Sequence, residues 1–353
     1  MRLSARIGVA RLSVVGGLLL AALTGGAASA AAPRSATPPD CDRACLDGFV
    51  ERYLTALVAK NPGSLPWARN VRFSENNVML LVGDGLWGTI TGRGPKETEL
   101  KFADVANGQA GFYGLVMQQQ GVPSYIALRL KIEDRRIAEV ETNVYPVPPP
   151  RPGAAPAGPG GFTVIPPLEF RHYPEMFEVL KPEERVPRGR MLDLANGYWA
   201  TMQLNDGTLF TQFDETCGRV EDGMITSGGT LPNGQRRPTC GEQFKTGLYR
   251  VDSAVRDRDF PIVDEERGLV LSRAFIDHNG ALTEYRTADG QMRTSNQRWP
   301  STFSVLELFK IRNGKILRIE VVHTNVPYHM PGVWRRDTDP DPSAVSAWSG
   351  GAK

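Results

Sequence analysis

SVLELFKIRNGKILRIEVVHTNVPY, Ser304 to Tyr328, is the stretch on which the fold turns. Leucine and β-branched residues alternate with charged ones on both sides of Arg312-Asn313-Gly314-Lys315. That is the pattern of two antiparallel strands joined by a tight turn. On the second strand a period of two puts Leu317, Ile319, Val321, His323 and Asn325 on one face. Arg318, Glu320, Val322 and Thr324 take the other. On the first strand Val305, Glu307, Phe309 and Ile311 share a face. The phrase occurs a second time, as IALRLKIEDRRIAEVETNVYP, Ile126 to Pro146, with Glu133-Asp134-Arg135-Arg136 as the turn. Both copies finish on Thr-Asn-Val, at 142–144 and 324–326.

Working outward, each hairpin is preceded by a helix that carries a tyrosine. CLDGFVERYLTALVAK holds Tyr53 and RGRMLDLANGYWATMQLND holds Tyr198. In the first, Phe49, Tyr53, Leu54 and Leu57 fall on one face at helical spacing. Each helix is followed by a turn and a strand with an acidic end, NVRFSENN and TQFDETCGRVEDG. Helix, strands and terminal hairpin, twice over, predict an internally duplicated α+β unit. Tyr53 to Asn143 is 90 residues and Tyr198 to Asn325 is 127, so the second copy is about 37 longer. The Pro-rich run YPVPPPRPGAAPAGPGGFTVIPP, Tyr145 to Pro167, reads as a semi-rigid linker. The expected organisation is a first domain over 41–146, a linker over 147–170 and a second domain over 171–340.

The first thirty residues read as a signal peptide outside the fold. Arg2, Arg6 and Arg11 stand without acids before the apolar LSVVGGLLLAAL, which is shorter than a membrane span, and AASA offers cleavage after Ala30. The competing reading is an uncleaved anchor. Cleavage takes three of the 41 Lys+Arg and none of the 39 Asp+Glu, leaving a net charge of −1. Without a basic stripe, nucleic acid is a poor partner. Export to a periplasmic or extracellular space makes four cysteines candidates for bridges. Cys217 and Cys240 flank a Gly/Pro-rich excursion and are expected to pair. Cys41 and Cys45 leave two readings open, a mutual bridge or reduced thiols. CDRAC lacks the C-x-x-C spacing and the nearby histidine of a zinc site.

RYLTALVAKNPGSLPWARNVRFSENN, GDGLWGTITG, the two hairpins and VPYHMPGVW resemble the nuclear transport factor 2-like superfamily, also called SnoaL-like. The resemblance covers roughly Cys41 to Val144 and Met191 to Trp334. It implies two tandem cones, each a long helix packed into a strongly curved antiparallel sheet around a pocket. It also implies a pair of cones that can dimerise through their sheets. The superfamily hosts dehydratases, isomerases, cyclases, epoxide hydrolases and non-catalytic binders, so fold alone fixes no activity.

The chemistry must come from single residues, because no G-x-S-x-G, P-loop, Rossmann glycine or H-E-x-x-H pattern occurs. His323 ends an apolar face, where a neutral imidazole would be a versatile acid/base. Glu141 stands at the duplicate position. Candidate catalytic partners are Asp214, Tyr198 and Glu307, with Asp214 first. Glu307, a charge among apolar neighbours, would have a raised pKa if buried. Tyr328, His329 and Asn325 are candidate substrate contacts near a pocket mouth. His278, in AFIDHNG, reads as a turn residue, and His172 lies in the linker region. Arg256, Arg258 and Asp264 read as a solvated, salt-bridged loop. No cofactor and no metal is implied. The leading expectation is cofactor-free proton transfer of lyase type on a small, partly apolar molecule. The alternative is a non-catalytic exported protein that binds a small molecule or dimerises.

Overall fold

The computed structural model describes residues 41–149, 162–231 and 233–335. The first helix, α1 (Arg43–Val58), opens on Asp42, whose carboxylate accepts the N–H of Cys45 at 2.9 Å. Leu46, Phe49, Val50, Tyr53, Leu54 and Leu57 are buried, as their spacing requires. The strands that follow are β1 (Trp67–Glu75), β2 (Val78–Met79), β3 (Ile90–Arg93), β4 (Leu100–Asp104), β5 (Gln109–Gln118), β6 (Val122–Glu133) and β7 (Arg136–Pro146). A single helical turn, α2 (Leu86–Thr89), precedes β3. They form one sheet in the order β2-β1-β7-β6-β5-β3, with β4 also on β5, and β1 runs parallel to β7.

The later elements repeat this plan. They are β8 (Thr163–Val164), α3 (Arg188–Leu204), β9 (Phe213–Glu221), β10 (Met224–Ser227), α4 (Cys240–Lys245), β11 (Ala254–Asp264), β12 (Leu269–His278), β13 (Glu284–Arg286), β14 (Met292–Thr294), β15 (Ser301–Arg312) and β16 (Lys315–Val326). The second sheet has the order β11-β12-β15-β16-β9-β10-β8, and β16 runs parallel to β9. β13 and β14 pair only with each other. Both long hairpins turn through two residues of positive φ, Asp134 and Arg135 in one and Asn313 and Gly314 in the other.

Three apolar layers hold these parts. α1 packs on one face of the first sheet through Phe49, Tyr53, Phe112, Leu128 and Val140. α3 packs on one face of the second through Tyr198, Trp199, Val305, Phe309 and Ile319. The remaining faces pack on each other through Leu115, Tyr125, Ala127, Leu306, Leu308 and Val322. Tyr113 donates its hydroxyl to the Leu306 carbonyl at 2.6 Å, and Asn143 Nδ2 donates to the carbonyls of Ser304 and Val322 at 2.9 and 3.1 Å. The layers therefore run helix, sheet, sheet, helix.

This arrangement corrects the cone expectation and the superfamily resemblance that carried it. The fold is α+β, but both sheets are mixed and open. The end strands β2 and β3, or β11 and β8, do not pair, and neither sheet is closed or strongly curved. Under α1 no water-sized space remains among Tyr53, Leu57, Trp87, Ile126 and Leu128. The sheet faces expected to join two copies are buried against each other within one chain. Within the stretch expected as a linker, Thr163 and Val164 pair with β10 at the edge of the second sheet. The stretch read as a loop around Arg256 and Arg258 is strand β11, and its Asp264 is buried in a bidentate pair with Arg43 of α1. The expected signal peptide lies outside the described residues. Among the described residues no helix is long and apolar enough to cross a membrane.

Candidate binding pocket on the second sheet

A cavity of about 710 Å³ opens on the α3 side of the second sheet, among α3, α4, the β9–β10 hairpin and the β13–β14 ribbon. Much of its wall is apolar, with Met202, Met224, Leu248, Val251, Ile276 and Phe303. Polar groups enter where alternation along β9, β15 and β16 turns them inward. Cys217 and Val305 belong to the α3 core, so Arg219 and Glu307, two residues further along their strands, face the same side.

These groups bind one another closely. Tyr198, fully buried on α3, donates its hydroxyl to Glu307 Oε1 at 2.7 Å. Arg219 Nη1 donates to the Tyr198 oxygen at 2.8 Å, and its Nε lies 2.7 Å from Glu221 Oε1. Arg219 also contacts the Tyr249 hydroxyl, which donates to Gln243 Oε1 at 2.9 Å. Burial pushes the Glu307 carboxyl up to about 8, against the pull of Arg219 and the Tyr198 hydrogen bond. At neutral pH Glu307 is therefore mostly a neutral acid.

His323 reaches the same cavity, and its partner is Asp222 rather than Asp214. Asp222 Oδ2 lies 2.8 Å from His323 Nδ1, and Oδ1 accepts the His323 backbone N–H at 3.1 Å. Burial works against the imidazolium, but the Asp222 carboxylate outweighs it and holds the His323 pKa above its ordinary value. The Phe303 ring lies between His323 and His278, with centroids at 4.5 and 4.4 Å. His278 is not a turn residue. It ends β12, is buried, and sets Nε2 3.1 Å from Asp252 Oδ1.

The structure brings together His323, Tyr198 and Glu307 and leaves the other candidates outside. Asp214 turns back on its own strand and accepts from the backbone N–H and hydroxyl of Thr216 at 2.9 and 2.7 Å. Phe213 takes the inward position beside it. Asn325 is exposed, and Tyr328, 38% exposed, packs on His329 at 4.3 Å. His329 has φ 60° in a turn closed by Met330 N–H to Pro327 O, and its backbone N–H donates to Thr302 Oγ1. None of these four lines the cavity. Glu141, at the duplicate position of His323, is buried between Arg129 and Arg273 at 2.8 Å each. His172, 148 residues from Glu320 in sequence, bonds its carboxylate between the sheets.

Both disulfides form, Cys217–Cys240 with a Cα separation of 5.4 Å and Cys41–Cys45 with 5.3 Å. Cys217 and Cys240 are buried in the α3 core. Their bridge fastens the loop that carries Arg237 and Pro238 to the cavity wall.

The lyase expectation does not survive this geometry. There is no cone interior, and a general base must be free and unprotonated to take a proton. His323 is engaged by Asp222, whose carboxylate raises its pKa and so favours the imidazolium, and Glu307 keeps its proton to about 8. Among the described residues no three His, Cys, Asp or Glu side chains are grouped to hold a metal ion.

Residues 184–323 match a family described as a domain of unknown function, DUF8021. The matched span is under half of the chain. It runs from just before α3 to His323 and so contains most of the elements that build the cavity. No curated protein is similar enough to the chain to count as a match.

Proposed function

We propose that this chain is a non-catalytic binding protein that holds a small, partly apolar molecule on the second sheet. The observation that carries the reading is the cavity itself. Its volume of about 710 Å³ lies within the range of small-molecule sites, and its apolar wall is broken by a few fixed polar groups. Tyr198, Glu307 and Arg219 are held by one another, which suits orientation of a ligand better than transfer of a proton. We also place the protein in an oxidising compartment after export, a reading supported by the bridging of all four cysteines. The first sheet and α1 then serve as a support that buries the back of the binding sheet.

Ligand retention tests the reading. Native mass spectrometry of the purified chain is expected to show added mass, either co-purified or after incubation with decan-1-ol. Val251→Trp, at a half-buried wall position, is expected to displace it while the variant still melts cooperatively. A chain that carries nothing and takes up no decan-1-ol would refute the proposal.

A further inference from the structure

Two arginines of the cavity wall are buried in different company. Arg219 is matched by Glu221 and by two tyrosine hydroxyls. Arg237 is 5% exposed and stands on the loop closed by Cys217–Cys240, its backbone N–H bonded to Gly229 O at 2.9 Å. Among the described residues its side chain makes one hydrogen bond, from Nη2 to Thr163 Oγ1 at 2.7 Å. Its Nε is buried with no acceptor, and no carboxylate of the described residues forms an ion pair with it. Burying a guanidinium without a carboxylate partner is costly, and its orphaned N–H adds to that cost. Burial accordingly pushes the Arg237 pKa down, against a smaller opposite pull from the Tyr173 hydroxyl. Nothing in the packing of the described residues relieves that cost, but an anion in the cavity would.

We propose that the pocket takes an organic carboxylate with an apolar body, its carboxylate on the Arg237 guanidinium and its body along Met202, Met224, Leu248 and Val251. The inference rests on the pocket reading above and adds the charge of the ligand. A planar guanidinium fork fits a carboxylate with paired hydrogen bonds. A buried cation with no carboxylate partner among the described residues, beside an apolar stretch of wall, suits a ligand with a single negative charge. The acids nearby do not compete for it: Glu221 is held by Arg219, and Glu307 is largely neutral at neutral pH.

The test compares decanoate, decan-1-ol and decylamine, which share one apolar chain, by titration calorimetry on the full chain. Decanoate is expected to bind about tenfold tighter than decan-1-ol or more, with decylamine weakest. In Arg237→Met the ratio of decanoate to decan-1-ol affinity should fall to about one. Arg237→Gln, which keeps N–H donors without the charge, gives the same readout should the first variant fail to fold. Equal affinities in the natural chain, or an undiminished ratio in either variant, would overturn the carboxylate anchor and leave the pocket standing. Failure of all three probes to bind would overturn both.

Discussion

Glu307 is a carboxyl almost wholly buried in the cavity wall, and its environment sets a definite pH response. The folded chain holds its proton to about 8, whereas the unfolded chain releases it near 4.5. Between those values folding takes up a proton, so the contribution of Glu307 is complete below 4.5 and is lost as pH rises through about 8. Glu307→Gln preserves the acceptor for Tyr198 and removes the titration. The variant is expected to match the natural chain in urea stability near pH 5 and to exceed it by a few kcal/mol, roughly, near pH 9. Parallel stability curves for the two proteins would mean that Glu307 is ionised at neutral pH. Of the groups around the cavity, Glu307, Tyr198 and His323 were legible in the sequence, because strand parity and the helix pattern aimed them at one side. Asp222 was not, because Asp-Gly reads as a hairpin turn, which it also is, with φ 46° at Asp222 and 79° at Gly223. Arg237 gave no signal in a Pro/Gly-rich loop, since its burial depends on a bridge and on β8. Asp214 misled, because short acidic side chains often bond their own backbone, as it does with Thr216.

At the scale of elements, the Cys217–Cys240 loop is the part whose loss should be felt most at the pocket. The bridge spans 23 residues against four for Cys41–Cys45. Chain entropy assigns about 3 kcal/mol to the longer loop and about 2 kcal/mol to the shorter. Replacing Cys217 and Cys240 by alanine is therefore expected to lower the urea midpoint more than replacing Cys41 and Cys45. It should also weaken decanoate binding, since Arg237 loses its fastening. A mutant pair with the reverse order of stabilities would show that the loop is held by its other contacts, such as Arg237 N–H to Gly229 O. The two long hairpins were readable because a period of two and two-residue turns are local properties. The open, layered sheets were not. Alternation says which face of a strand is buried, but not whether a helix or another sheet buries it. The run LVLSRAFIDH in β12 carries the missing clue. All ten of its residues are buried, as in a strand covered on both faces.

For the whole molecule, the layer between the sheets sets cooperativity, and Glu141 is its most exacting member. Its carboxylate meets Arg129 of its own sheet and Arg273 of the other at 2.8 Å, and Arg273 continues to Asp259 at 2.6 Å. Asn143 and Tyr113 cross the same layer by hydrogen bonds to backbone carbonyls of the second sheet. Apolar surface on both sides of that layer would be exposed if either half opened alone, so the two sheets are expected to unfold in one transition. Removing the acid at the centre would leave two buried guanidinium groups facing each other, Arg129 with Glu139 and Arg273 with Asp259 as their remaining acids. Glu141→Ala is therefore expected to cost about 2 kcal/mol or more. Burial alone would raise the Glu141 pKa, but Arg273 and Arg129 outweigh it and hold the carboxyl below its ordinary value of 4.5. Its contribution is present above that value and is lost as pH falls through the lower, folded-state pKa. The natural chain should thus show an acid-induced loss of stability below about pH 4.5 that Glu141→Gln lacks, on a lower baseline throughout. Calorimetric scans of the two proteins across that range decide the matter. Two separate transitions in the natural chain, or the same acid slope in the variant, would mean that the sheets are joined by their apolar contacts without help from this ion cluster.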